Sequence, residues 1–329
     1  MIFIEKFNRQ LLEEIIPLCT RGQYKFNEHF FLDVSQLSNF FRNKILKSFE
    51  IADNVAFVAL DGQKPLGLIS CCKDSFDSEI FGFACYRISE LMIFDCDYPV
   101  ANQVISKLLM SLENILHSKS KPYYLTVSLN NNSPGMDYIF NALTQNHYYY
   151  IHTLLTFSVN CQMFKILDFS QTENVKIRKS IESDADSIAD LAYKSFKYSR
   201  FHLDPNLDNK KACELLKTSA YNSVLYDFVD VMFIAEIEGK IVGYYSAKKN
   251  CINEFDKIYG EAVISAVDSD YRGLGIFKKL DAHLLNWFYE QTDFAEMGTY
   301  LINYPVHKTW INNGLGLVRG THQFSKFVK

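Results

Sequence analysis

The sequence predicts an α/β (α+β) protein in which mixed sheets flanked by helices occur twice in tandem. Three observations carry this reading. Short β-branched runs of period two alternate with longer stretches whose apolar residues recur at helical spacing. At 329 residues the chain is too long for one average core. An order of strand, helices, hairpin, strand, helix, strand, helix, strand runs approximately through residues 1–165 and returns over 174–329, a period that points to duplication of a whole domain.

In the first half, Leu11, Leu12, Ile15 and Ile16 make one face of a helix, and Leu37 to Phe49 read as a second. Val55–Leu60 and Leu66–Cys71 are strands joined by Asp61-Gly62, a hairpin signal. Tyr86–Ile93 is a strand, Ala101–His117 a helix, Tyr123–Ser128 a strand, Met136–Gln145 a helix, and Tyr148–Val159 an aromatic strand. Gln171–Asn174 is the polar linker. In the second half, Val175–Arg178 is a strand, and Ser183-x-x-Asp186 forms a capping box for the helix carrying Ile188, Leu191 and Ala192. A loop over Arg200–Asn206 leads to a helix over Lys210–Ala220. Val231–Glu236 and Ile241–Ser246 flank the turn Glu238-Gly239-Lys240, and Glu261–Val267 is the next strand. A helix around Leu280, Leu284 and Leu285 follows, then a strand over Met297–Ile302, a helix over Pro305–Asn312 and a closing strand over Gly320–Val328.

Composition excludes several classes. A formal net charge of −4 gives no electrostatic reason to expect nucleic acid. No apolar run approaches the ~20 residues that span a bilayer, and the N-terminus lacks the pattern of a signal peptide, so a cytoplasmic location is expected. The eight cysteines show no C-x-x-C spacing, and reduced thiols with no metal site are expected.

The chemistry concentrates between Glu261 and Leu285. Gly273 and Gly275 straddle the point where the helix begins, after a hydrophobic strand and beside Arg272. Glycine there uncovers backbone N–H groups at a helix start, which is an anion site suited to phosphate. A dinucleotide fingerprint needs a third glycine where Lys278 stands, and the P-loop pattern is absent. At the corresponding place the first half has Asp95-Cys-Asp-Tyr-Pro-Val100, without glycine and with two carboxylates, so cofactor binding is assigned to the second half alone.

Arg272-Gly273-Leu274-Gly275-Ile276-Phe277 resembles the pyrophosphate loop of the GNAT acyl-CoA N-acyltransferases, with Phe277 departing from the usual small residue. The resemblance implies tandem GNAT-like domains, the first degenerate, and acetyl-CoA as acyl donor with no metal. It implies that Arg272 to Phe277 hold the pyrophosphate and that backbone groups at Ala266 and Val267 pair with the pantetheine arm. Glu261 matches the position of a glutamate that takes the amine proton in several members, and burial is expected to raise its proton affinity. The family's Asn, followed seven residues later by a Tyr acid, falls here on Asn303 and Trp310. An indole does not give up its proton, so His307 is the substitute acid and Tyr304 the second candidate.

Asp77–Phe83, Asn146–Tyr150 with Phe157–Val159, and Ser199–Pro205 resemble segments of TDP-fucosamine acetyltransferase-like enzymes. This implies a nucleotide-linked amino deoxysugar as acceptor, with Arg200, His202 and Asp204 in its site, and the first half closing one side of the acceptor cleft. Two other readings stay open: another small amine or a peptide N-terminus as acceptor, and a non-catalytic acetyl-CoA-binding protein. No nucleic-acid or membrane partner is expected, and a homodimer stays open.

Overall fold

The computed structural model describes residues 1–21, 38–39, 42–47, 51, 53–131, 133, 135–163, 167, 174–197, 199–252 and 256–329. The chain folds as two units, Met1–Leu154 with Arg319–Lys329, and Leu155–Val318. A linear boundary between 165 and 174 hides this arrangement, in which the end of the chain returns to the first unit. Each unit carries the mixed sheet and flanking helices of the expected class.

In unit 1, β1 (Ile2–Lys6), β2 (Val55–Asp61), β3 (Lys64–Asp74) and β4 (Ala84–Ile93) are antiparallel neighbours, and β4 pairs in parallel with β5 (Tyr123–Asn130). Strand β1 lacks the alternation that would have announced it. Helix α1 (Arg9–Arg21) packs Leu12, Ile15 and Ile16 against Val58, Leu60, Leu68 and Met92. Within the second expected helix, residues 38–39 and 42–47 are helical and the others lie outside the described residues, as do 171–173 of the linker. Helix α2 (Ser75–Phe81) follows β3; Asp74 accepts from the Asp77 N–H, and Gly82 closes the helix at φ 77°. The long α3 (Tyr98–Lys119) buries Ala101, Val104, Ile105, Leu108, Leu109, Leu112 and Leu116, a helical stripe facing the sheet. After α4 (Met136–Gln145) comes β6 (Tyr149–Asn160), whose second half belongs to unit 2. Strand β12 (Gly316–Val328) pairs Thr321–Val328 antiparallel with Asn130–Tyr123 of β5.

Unit 2 contains β7 (Lys176–Lys179), α5 (Ala185–Ser195), α6 (Arg200–Leu203), α7 (Asn209–Leu225), β8 (Val231–Ile237), β9 (Lys240–Ile252) and β10 (Lys257–Val267). It continues with α8 (Ile276–Gln291), β11 (Phe294–Tyr300) and α9 (Tyr304–Asn312). Period-two alternation covers both faces of the sheet. Val231, Phe233 and Ala235 of β8 meet Leu280, Leu284 and Leu285 of α8, while Met232 and Ile234 meet Ile188 and Leu191 of α5 and Ala220 of α7. The start of α5 is set by Asp184 rather than by a Ser183 box: its carboxylate accepts the Ile181 N–H at 2.9 Å and holds Arg178 at 2.7 Å. The segment read as a loop from Arg200 begins with a helical turn, and β11 starts three residues earlier than its apolar run.

Among the described residues, no helix is long and apolar enough to cross a membrane, and no cluster of metal-ligating side chains forms. Among the described residues, the cysteines at 71, 72, 85, 96, 161, 213 and 251 are not joined in disulfides.

Candidate active site

The site is built where two parallel strands part. Strands β10 and β11 are registered from Tyr259–Phe294 to Glu261–Glu296, and the pairing stops there although both strands continue. The cause is visible on the other side of β10. Between Ala262 and Ser265 its register against β9 slips, so that Val263 and Ile264 oppose Ser246 alone. The Ser246 hydroxyl donates to the Ile264 carbonyl at 3.2 Å and lies 3.3 Å from the Ile264 N–H, which fixes the bulge from inside. A bulge bends its strand, and beyond it Ser265, Ala266 and Val267 remain paired with β9. Their opposite edge faces the gap toward β11, where an extended amide-bearing arm can add to the backbone.

The sheet's two faces give that slot two sides. A Cβ on Gly260 would lie 2.5 Å from the Phe288 ring, so Gly260 faces α8 at a contact only glycine allows. Its neighbour Glu261 therefore faces the α5 and α7 side. Glu261 stands at the last closed rung, opposite Glu296 on β11 and Lys248 on β9. The burial expected for Glu261 is not found: its side chain is 43% exposed and pairs with Lys248 Nζ at 3.1 Å. Glu296 is buried on the same face and accepts from the Tyr259 hydroxyl at 3.3 Å.

At the far end of β10 the chain turns through Ser269–Tyr271 into Arg272, and Gly273 and Gly275 take φ of 83° and 74°. These left-handed positions are why glycine stands at both. A Cβ at either would meet nothing within 4 Å, so the loop bounds open space. Gly275 begins α8 without any side-chain cap, leaving the first-turn amides to a ligand. Phe277 turns away from that space and packs on Tyr245, ring centroids 5.6 Å apart. Arg272 and Leu274 are exposed; the Arg272 guanidinium makes long contacts to the Val267 and Ser195 carbonyls, at 3.4 and 3.5 Å. Ile276 is buried beneath the loop. The residues present therefore fit a pyrophosphate.

Unit 1 lacks this site. Asp97 caps α3 by accepting the Val100 N–H at 3.2 Å, and Pro99 removes another first-turn donor. Its strands β4 and β5 also part, after Ile88 and Val127, but the chain beyond β5 closes the gap: a Cβ on Gly135 would lie 2.9 Å from Ile93 Cβ.

On the α8 side of the unit 2 slot lies α9, with Asn303 as its N-cap residue and its amide donating to Thr299 Oγ1 at 2.8 Å. Tyr304 opens the helix 70% exposed. His307 lies behind it, buried, with the two rings edge to face at 6.0 Å. The His307 ring bonds the Tyr300 carbonyl and its Nε2 has no partner, so Nδ1–H is the donor and Nε2 carries the lone pair. Burial lowers the His307 pKa, against the opposing effect of that bond. Trp310 lies in the core and does not reach the slot. Its Nε1–H donates to Asp281 Oδ1 of α8 at 2.9 Å, and Asn313 Nδ2 donates to Asp281 Oδ2 at 2.8 Å.

The segment around Arg200 reaches the end of β11, where the Arg200 N–H donates to the Tyr300 hydroxyl. His202 is held at both nitrogens, by Ser199 Oγ at 2.6 Å and Cys213 Sγ at 3.3 Å. Asp204 is buried and accepts from the Asn206 backbone and side chain. Of the three acceptor candidates, Arg200 is half-buried with its guanidinium stacked over Phe201 at 4.2 Å, and His202 is half-buried with both ring nitrogens engaged.

Asp281, which sequence reasoning passed over as a polar residue inside an apolar stripe, is fully buried, and its pKa rises to about 7 chiefly by desolvation. The folded state thus holds this proton to higher pH than the unfolded chain does. Stability should fall as pH rises from about 4 through about 7, by a few kcal/mol at most. Melting temperatures of Asp281→Asn should decline less across this range than those of the wild type. An equal decline in both would show that Asp281 ionises normally.

Residues 197–310 match the Acetyltransferase (GNAT) family. Solved structures share the architecture. A tandem GNAT protein from the clavulanic acid biosynthesis pathway superposes with a TM-score of 0.58 at 10% identity, covering 99% of this chain and 98% of that one. A GCN5-related N-acetyltransferase from Sphaerobacter thermophilus gives 0.63 at 10% identity, covering 100% and 96%. A glucosamine N-acetyltransferase region of a fungal multi-domain GH3 β-N-acetylglucosaminidase gives 0.64 at 12% identity, covering 99% of this chain and 38% of that one. No curated protein matches. The chain has tandem GNAT folds, and the match over residues 197–310 lies within its second unit.

Proposed function

We propose that the chain is a GNAT acyltransferase that transfers acetyl from acetyl-CoA directly to the amino group of a nucleotide-linked amino deoxysugar. The observation that carries the transfer is the slot itself: a parted strand pair ending at an uncapped, glycine-opened helix start, with a carboxylate on one face and a phenol-bearing helix on the other. Bound acetyl-CoA supplies the activated acyl group as a thioester. The amides from Gly273 to Phe277, with Arg272, hold its diphosphate, and the backbone at Ala266 and Val267 holds its pantetheine arm. Glu261 takes the amine proton, directly or through water, from the α5 and α7 side. Tyr304 is the proton donor to the departing sulfur, because its hydroxyl is exposed where Nε2 of His307 is buried. This reverses the order expected from sequence and leaves His307 as the ring against which Tyr304 sits.

The amino-sugar acceptor rests on the resemblance of Asp77–Phe83 and Ser199–Pro205, on Arg200 as a partner for a diphosphate, and on the glucosamine-acetylating neighbour. The internal bonds of His202 and Asp204 favour a second reading, another small amine. Thiol release from acetyl-CoA with dTDP-amino sugars, free glucosamine and simple amines separates them. Turnover of the nucleotide-linked sugar at least about tenfold above the others is expected, and equal turnover of simple amines would remove the nucleotide. In the same assay Tyr304→Phe should lose roughly a hundredfold in kcat. An unchanged rate would take Tyr304 out of the chemistry.

A further inference from the structure

Helix α9 carries no residue that bonds the pyrophosphate loop, yet its rotation decides where Tyr304 and His307 point. One buried contact sets that rotation. Asp281 projects from the second turn of α8 and accepts at both oxygens, at 2.9 Å from the indole of Trp310 on α9 and at 2.8 Å from the amide of Asn313, the residue that caps the C-terminus of α9. Two donors three residues apart at the end of one helix, received by one carboxylate, fix both its azimuth and its height. Trp310 stands one turn after His307, and the Phe157 ring touches both, with centroids 5.4 Å from Trp310 and 5.5 Å from His307. His307 in turn bonds the Tyr300 carbonyl at the end of the slot-lining strand β11.

We infer that Asp281 is a positioning residue for acyl transfer, locking α9 to the cofactor helix so that His307 and Tyr304 are held at the slot. This rests on α9 carrying the proton donor. A buried carboxylate is a costly way to join two helices. An apolar pair of the same volume would hold them together without specifying rotation. The direction of the Asp281 shift agrees, since desolvation raises it even against two donated hydrogen bonds. The titratable group facing Asp281 from β9 is Tyr245, itself raised by burial and by this carboxylate.

The test compares wild type, Asp281→Asn and Asp281→Leu, each without ligand and with acetyl-CoA. In the free protein, nitrogen-detected NMR of His307 should show the Nδ1–H tautomer in wild type and Asp281→Asn. In Asp281→Leu the tautomer should become mixed and the titration midpoint should rise toward an ordinary histidine. Affinity for coenzyme A should stay within about threefold, while thiol release from acetyl-CoA falls at least about tenfold in Asp281→Leu and is rescued in Asp281→Asn. An unaltered His307 signal in Asp281→Leu overturns the inference, as does an altered signal with unaltered thiol release. Should Asp281→Leu fail to fold, Trp310→Phe, which keeps the Asn313 bond, reads the same signals. Failure of both to fold would show a purely structural contact and overturn it as well. The donor assignment fails separately, through Tyr304→Phe, so the two claims are distinguishable.

Discussion

Gly275→Val should abolish acetyl-CoA binding at concentrations that saturate the wild type. Gly275 sits at φ 74° and begins α8 without a side-chain cap. A β-branched residue resists that conformation at a cost of about 1–3 kcal/mol. Its methyl groups would also stand over the amides that receive phosphate. Each charge-assisted contact of that kind contributes about 1.5–3 kcal/mol, so losing two weakens binding by about a hundredfold or more. A Cβ there meets no atom within 4 Å in the free protein, so the fold should survive with a modestly lower melting temperature. Calorimetry with coenzyme A reads the affinity, and a dissociation constant within threefold of wild type would refute the cradle. Arg272→Ala, which removes an exposed charge and no amide, should weaken binding by only about tenfold.

Glu261→Gln should lower kcat/KM for the acceptor by roughly a hundredfold to ten-thousandfold, the usual worth of a positioned base. The carboxylate stands at the last paired rung of β10 and β11, on the α5 and α7 side of the sheet. The Lys248 pair lost with it is exposed and contributes less than about 1 kcal/mol, so folding is not the cause of any rate loss. KM for acetyl-CoA should hold. A variant with unchanged kcat/KM would leave Glu261 as a surface ion pair.

The glycine turn before α8 was legible because two glycines at a strand-to-helix junction mark left-handed positions, and the structure gives both left-handed φ. The hairpins at Asp61-Gly62 and Glu238-Gly239 were legible on the same ground, with Gly62 and Gly239 at φ 63° and 78°. What escaped the sequence depended on partners distant along the chain. Strand β11 begins at Phe294 because Glu296 is paid for by Tyr259 across the sheet, a compensation that hydropathy does not register. His202 and Asp204 read as ligand-facing because polar loop residues usually are. A single helical turn directs one onto Ser199 and Cys213 and the other onto Asn206. Trp310 followed a family spacing, yet its indole N–H was already committed to Asp281. Glu261 is correctly a strand residue facing one side, but its exposure depended on the Lys248 register, which only the β9 pairing reveals.

A crystal structure of the full chain with coenzyme A tests the central claim most directly. One molecule per chain is expected, its diphosphate on the amides of Gly273 to Phe277 and its pantetheine arm along Ala266 and Val267 in the gap between β10 and β11. Coenzyme A seated instead at Asp97 of unit 1, or at neither helix start, would contradict it.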